Sequence, residues 1–310
     1  MCRLGARACR VTEGVNSPMK NETWGRMGSK FAHLTSSHPC YSEKAHFTTA
    51  RIHLPVAPKC NIQCNFCSRT MDKCEYRPGA YGCLLSPRDA VARVEEAMRE
   101  HPTLSVVGVA GPGEPLFNPE TFEAMRLVHD AHPELHLCIA SNGLLLPRKI
   151  DELADLGVGS ITVTINGIDP AVVSQIVSWV LYDGTVYRGE EGASILTAQQ
   201  LAGIEAAYEH EIPVKINTVL VPGINEGEIE AIAREASERK AWIMNIIPLI
   251  PVNAFSSRRA PTCDELKAAR ETAERYLPQF RLCRQCRADS VGIPGTEHHH
   301  RRPTSEYFHG

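Results

Sequence analysis

Three cysteines stand within eight residues, Cys60-Asn-Ile-Gln-Cys64-Asn-Phe-Cys67, and this spacing constrains the chain more than any other feature. A loop this tight can bring three thiolates to three irons of a [4Fe–4S] cube, whereas a complete cluster takes four cysteines and a structural zinc site four ligands. The ligand deficit leaves one iron open to a small molecule. A zinc site completed by a remote fourth ligand is the competing reading.

Composition removes several other classes. The chain has 310 residues, 22% charged and 43% hydrophobic, with a formal net charge of −3, so no polyanion-binding surface is implied and nucleic acid is not an expected partner. Neither a membrane-spanning apolar run nor a secretory leader is present, and the expected location is the cytoplasm. In that reducing compartment the twelve cysteines read as thiols or metal ligands, and their clustering favours metal.

Residues 1–35 mix Gly, Ser, Asn and basic residues without apolar periodicity and read as a poorly ordered arm. From Arg51 onward, β-rich runs alternate with helical patterns. Strands are expected at 51–57, 104–110, 135–140, 160–165, 214–220 and 242–250. Helices are expected at 87–100, 118–132, 149–156, 197–209 and 226–240. Repeated βα units with nearly continuous apolar strands imply a parallel sheet covered by helices. Six units are too few for a closed eight-stranded barrel, so the fold class is α/β, a partial (β/α)6 TIM-type barrel over residues 36–292, followed by a polar tail at 293–310. Ligands of such folds gather at the carboxyl ends of the strands.

The loops at those ends carry the candidate groups. After the second strand comes Ala110-Gly111-Pro112-Gly113-Glu114-Pro115, where glycine permits close backbone approach and Glu114 supplies charge. Ser141, Asn142 and Gly143 follow the third strand; Thr164 and Asn166 follow the fourth; Asn217 lies in the fifth. Taken singly, each fits an ordinary turn about as well as a ligand contact. Further donors lie outside the cysteine loop: Cys283-Arg-Gln-Cys286, Cys138 within a strand, Cys40 and His46 upstream, His53 in the first strand, and Cys74 seven residues past Cys67. A lone Cys or His is most often a satisfied core residue. A CxxC pair in a reduced compartment is harder to dismiss, and here it reads as a ligand pair.

Taken together, these residues resemble the radical S-adenosylmethionine (SAM) enzymes. Cys60, Cys64 and Cys67 match the CX3CX2C motif, Phe66 matches the aromatic residue usual before its last cysteine, and the Gly111–Pro115 loop resembles the GGEP motif that receives the SAM ammonium group. Longer strings, His38-Pro-Cys-Tyr-Ser-Glu-Lys-Ala-His46, Ile52 through Cys67 and Cys283-Arg-Gln-Cys-Arg-Ala-Asp289, are similar to the NifB family of nitrogenase cofactor maturases. The resemblance covers roughly residues 37–292.

That resemblance implies a radical SAM barrel whose N- and C-terminal extensions carry extra cluster ligands. It implies a SAM-binding [4Fe–4S] cluster on Cys60, Cys64 and Cys67, with SAM contacts from Gly111, Gly113, Glu114, Ser141, Asn142, Thr164, Asn166 and Asn217. Two further [4Fe–4S] clusters are implied as substrates, fused with a SAM-derived carbide and an added sulfur into an [8Fe–9S–C] core. One would be held by Cys283, Cys286 and His53, the other by Cys40 with Cys138 or Cys74, with His46 as alternative imidazole. His53 is also a candidate proton acceptor. Expected partners are iron–sulfur cluster donors, a separate cofactor carrier or scaffold, and an electron donor such as ferredoxin or flavodoxin. The rivals are another radical SAM enzyme with auxiliary clusters, which normally has a longer cysteine-rich C-terminal domain, and a metal-binding module without catalysis, which leaves Glu114 and the six βα units unexplained.

Overall fold

The computed structural model describes residues 31–294; most of the N-terminal arm and all but the start of the polar tail lie outside the described residues. The strands are β1 (Ala50–His53), β2 (Ile62–Cys64), β3 (Thr70–Met71), β4 (Ala80–Tyr81), β5 (Leu104–Val109), β6 (His136–Ser141), β7 (Val158–Thr164), β8 (Val177–Tyr182), β9 (Thr185–Tyr187), β10 (Val214–Leu220), β11 (Ile243–Pro248) and β12 (Val291–Gly292). The main sheet runs β11-β10-β7-β6-β5-β1-β12. Its first six members are parallel, and β12 is antiparallel to β1. The six expected strands are therefore the six parallel ones, and the α/β partial barrel is the observed fold.

The two faces of this sheet differ in chemistry. Because side chains alternate along a strand, Ile52, Leu137, Ile139, Ile161, Val163, Ile216, Met244 and Ile246 all reach the outer face, where they join one apolar core with the covering helices. Burying a side chain of this size stabilises by roughly 1.5–3 kcal/mol. The alternate positions include Arg51, His53, Gly108, His136, Cys138, Ser160, Thr162, Lys215, Asn217 and Asn245, so the inner face is largely polar, with Val106, Ala140, Ile243 and Ile247 among them. The helix Pro87–Glu100 starts where Ser86 Oγ accepts from Asp89 N at 3.2 Å and Pro87 supplies a preset φ. Its apolar stripe, Ala90, Val94 and Ala97, is buried.

Two extensions complete the barrel. The segment 31–49 closes the end at which the strands begin: the Tyr41 hydroxyl donates to the Ile161 carbonyl at 2.8 Å, and Phe31 lies edge-on to Trp242, which immediately precedes β11, at 5.6 Å. Phe31 and the helical turn Ala32–Thr35 fall in the stretch read as an arm, yet Phe31 is buried, so packed structure begins at least there. The second extension, residues 279–292, runs from one sheet edge to the other. Phe280 N donates to the Met244 carbonyl at 2.7 Å beside β11, and Val291 and Gly292 pair with Ile52 and Arg51 of β1. This strap carries the CxxC pair across the open side of the partial barrel.

Some elements were not anticipated. Val177–Tyr187 forms a β8–β9 hairpin around Asp183 and Gly184, both with positive φ, and β8 pairs antiparallel with β2 of the cysteine loop. The helix expected at 197–209 begins at Gly189. Helices at Pro170–Ile176 and Cys263–Glu274 are additional, the latter started by a Thr262/Glu265 capping box.

Candidate functional site

The cysteine loop is pinned from three sides. Ile62, Gln63 and Cys64 pair with β8. Gln63 Nε2 donates to the Cys64 and Cys67 carbonyls at 2.8 and 3.1 Å, and Asn253 Nδ2 donates to the Cys67 carbonyl at 3.0 Å. Cys60, Cys64 and Phe66 pack against an apolar cluster that includes Val177, Val180 and Leu196. Burial pushes the Cys60 thiol up to about 12 and raises Cys64 well above its usual value; Cys67 is raised as well, tempered by Arg69 and Arg77. Metal binding must displace these protons. Three soft sulfur donors on one loop suit three irons of a cubane, and Asn61 beside them has a buried Nδ2 with no partner.

The Gly111–Pro115 loop is laced to the chain entering the cysteine loop. Gly113 N donates to the Ala57 carbonyl at 2.6 Å, Glu114 N to the Lys59 carbonyl at 2.8 Å, and Asn118 Nδ2 to the Lys59 and Glu114 carbonyls. A Cβ on Gly113 would lie 2.2 Å from the Lys59 oxygen, so only glycine fits there. Glu114 was expected to offer its charge to a ligand. Its carboxylate is instead 3% exposed and engaged by protein: Ser141 Oγ and Leu116 N donate to Oε1 at 2.6 and 3.1 Å, and Asn142 N donates to Oε2 at 2.7 Å. Burial raises its pKa to about 7 while these three donors pull the other way. Glu114 thus ties the loops after β5 and β6 together, leaving Oε2 with spare acceptor capacity.

Gln200, which no motif flagged, extends this lacing by donating to the Asn142 and Thr164 carbonyls at 2.8 and 2.9 Å. Asn142 Nδ2 donates to Asn61 Oδ1 at 2.7 Å. Asn166 Oδ1 accepts from Val219 N and its carbonyl accepts from Asn225 Nδ2, both at 2.9 Å, so this residue shapes the 219–225 loop. Thr164 and Asn217 are register partners in β7 and β10, and Asn217 Oδ1 accepts from Asn245 Nδ2 at 2.9 Å.

A second group of sulfurs lies inside the barrel. His53, Gly108, Cys138 and Ser160 share one row across β1, β5, β6 and β7. A Cβ on Gly108 would meet Cys138 Sγ at 2.8 Å and His53 Cδ2 at 3.3 Å, so this glycine leaves the space that both side chains border. Cys40 lies within electrostatic reach of Cys283 and Cys286, and Cys138 within reach of Cys40. Burial raises Cys40 and lifts Cys138 to about 12. Arg51 Nη2 donates to Cys286 Sγ at 2.8 Å. Cys283 packs against both the Phe31–Trp242 cluster and the Val219–Phe255 cluster that Phe66 also joins. Cys74 is not part of this group; it sits exposed on a turn where its amide donates to Asp72 Oδ1 at 2.6 Å.

The histidines differ in what they offer. His53 Nδ1 lies 3.1 Å from the Arg287 carbonyl and His46 Nδ1 lies 2.9 Å from the Pro39 carbonyl. A carbonyl only accepts, so each Nδ1 carries the proton and each Nε2 presents a lone pair, the arrangement usual for metal-binding histidine. Burial lowers both to about 4. His53 borders Cys138, whereas His46 is wedged edge-on to Phe47 and Phe280.

Known proteins resemble this chain in sequence and in fold. Residues 54–236 match the radical SAM superfamily. The FeMo cofactor biosynthesis protein NifB of Methanocaldococcus jannaschii is 50% identical over 267 residues, which are 86% of this chain and 89% of that one. The NifB of Klebsiella pneumoniae is 42% identical over 302 residues, 94% of this chain and 62% of its own length. Among solved structures, a radical SAM methyltransferase from Sphaerobacter thermophilus superposes with a TM-score of 0.53 at 19% identity, covering 75% of this chain and 64% of that one, a likeness of fold. The chain therefore belongs to the radical SAM superfamily and, within it, to the NifB family of FeMo cofactor biosynthesis proteins.

Proposed function

We propose that this enzyme of nitrogenase cofactor biosynthesis joins two [4Fe–4S] substrate clusters, a carbide taken from a SAM methyl group and one added sulfur into an [8Fe–9S–C] cofactor core. Cys60, Cys64 and Cys67 hold the resident cluster, which with SAM bound supplies one-electron cleavage to methionine and a 5′-deoxyadenosyl radical. Gly111 and Gly113 let the backbone approach SAM. Glu114 braces Ser141 and Asn142 beside it, and Thr164, Asn166 and Asn217 line the neighbouring strand ends.

The observation that carries the reading is the second sulfur group. Cys40 lies within electrostatic reach of Cys138, Cys283 and Cys286, and the His53 imidazole borders the same space above Gly108 as Cys138. A single further zinc or structural cluster has no need of donors from two separate extensions. Cys283, Cys286 and His53 hold one substrate cluster; Cys40 and Cys138 hold the other, with Cys74 left outside. His53, its proton fixed on Nδ1 and its basicity lowered, serves as a ligand rather than as a base at neutral pH. Few ligands per cluster suit cargo that must leave. Two [4Fe–4S] clusters bring eight sulfides, so the ninth comes from outside, as do the electrons; cluster donors, an electron-transfer protein and a product carrier are the partners required.

Anaerobic reconstitution with iron and sulfide tests this. The chain is expected to take up about twelve irons, three clusters of four, and the Cys283→Ala/Cys286→Ala variant about four fewer. A wild type saturating at about four irons, unaltered in the variant, would leave only a simpler radical SAM enzyme.

A further inference from the structure

Among the described residues, the polar interior contains two buried cations, Lys215 and Arg51, with no carboxylate paired to them. Lys215 of β10 is 5% exposed, and its ammonium makes one hydrogen bond, to the Cys40 carbonyl at 3.3 Å. The Tyr41 and Phe280 ring centroids lie 5.3 and 5.7 Å away. Arg51 of β1 is 1% exposed; it donates to the Gly292 carbonyl at 2.6 Å and to Cys286 Sγ, and its Nε is buried without a partner. The groups that favour its charge are Cys286, Cys40 and Tyr76. Asp289, a carboxylate within electrostatic reach of His53, is bound by Arg287 at 2.8 and 3.0 Å.

A buried ammonium costs several kcal/mol unless it is paired. One carbonyl and two ring faces offset part of that cost. An ammonium carries three donors and this one uses a single donor, so the fold holds a cation ready for an anion. The side chains that Lys215 acts on electrostatically include Cys40, Cys138, His38 and His53, of which Cys138 and His53 border the space above Gly108.

We propose that Lys215 is the counter-ion that seats the substrate cluster held by Cys40, its two free N–H donors meeting cluster sulfides. This rests on the reading that Cys40 holds a substrate cluster. Hydrogen bonds to sulfur and local charge set both the retention and the potential of a cluster. Lys215 is thus a positioning residue that supplies by charge what a third and fourth covalent ligand would supply, and an ionic seat releases its cargo without breaking a further metal–ligand bond. Arg51 has the matching relation to Cys286.

The test compares wild type, Lys215→Met and Lys215→Arg after anaerobic reconstitution, with melting curves as a folding control. Iron content, the rate of iron loss to a chelator and the midpoint potentials of the reduced signals are recorded. Lys215→Met is expected either to lack about four of about twelve irons or to lose that fraction at least tenfold faster, with a more negative potential; Lys215→Arg should stay near wild type. A second measurement needs no variant to fold well. In reduced wild-type protein labelled with 15N-lysine, a weak 15N hyperfine coupling to a substrate-cluster signal is expected. A wild type with about twelve irons but no such coupling, or a folded Lys215→Met protein with unchanged iron, chelation rate and potential, overturns the assignment of Lys215 alone. A wild type holding only about four irons overturns the two-substrate-cluster reading and this inference with it.

Discussion

Glu114 shows how much one buried carboxylate organises. Its three donors come from three points on two loops, so removing the charge while keeping the shape sets a side-chain amide against backbone N–H groups that cannot turn away. Glu114→Gln should cost about 1–3 kcal/mol in denaturant unfolding and weaken SAM binding in equilibrium dialysis. The pH dependence follows from the raised pKa. The protonated form is favoured in the folded state, so this contribution is complete below the ordinary value of 4.5 and is lost as pH rises through about 7. The urea midpoint of the wild type should therefore carry a downward slope between pH 5 and 7 that Glu114→Gln flattens. Gly108 is the complementary case, a residue whose value is the space it leaves. In Gly108→Ala the new methyl group enters at 2.8 Å from Cys138 Sγ. The expected outcome is a folded protein whose melting temperature changes little but whose reconstituted iron falls by about four. Full iron loading of the alanine variant would remove Cys138 from the ligand set.

At the level of elements, the strap 279–292 and the hairpin β8–β9 do what the six βα units cannot, one closing the barrel's open side and the other pinning the cysteine loop. The strap is held at its middle by Arg287, whose guanidinium donates to the Asp72 carbonyl at 2.9 Å and pairs with Asp289, while Asp289 accepts from Gly82 N at 2.6 Å. Arg287→Ala should raise amide exchange over residues 283–290 well before the barrel strands exchange, and substrate-cluster iron should be lost to chelators faster; unchanged exchange there would show that the β12 pairing alone fixes the strap. These elements also mark where reading the sequence stopped. The helix at 87–100 was legible from its apolar stripe, and the strands at 104–109 and 214–220 from their apolar runs. The hairpin carried a usable signal, Asp183-Gly184 between Val-rich and Tyr-rich runs, which is a two-residue turn pattern. Gln200, Asn61 and Lys215 carried none, because their roles arise only when loops and strands far apart in sequence meet. Cys138 was separable from Cys74 only through the β5–β6 register that sets it across from Gly108.

For the molecule as a whole, the architecture is a parallel half-barrel with an apolar outside and a polar inside, closed below by an N-terminal segment and at the side by a C-terminal strap. The N-terminal segment brings Cys40, and the strap Cys283 and Cys286, towards the same interior. The cysteine loop, the Glu114 loop and the fold class were readable from motif and periodicity, and family membership agrees with them. Cys40, Cys138, Cys283 and Cys286 were nameable as cluster ligands only through the family resemblance, since spacing along the chain says nothing about which extension folds inward. Their convergence is the central claim, and the fate of the SAM methyl carbon tests it most directly. With 14C-methyl SAM, reductant and iron–sulfur-reconstituted protein under anaerobic conditions, label should remain with protein-bound iron after desalting and be absent from the Cys283→Ala/Cys286→Ala variant. If SAM is cleaved in the wild type but no label stays with the iron, carbide insertion is contradicted, and the interior cysteines hold clusters that only support another radical reaction.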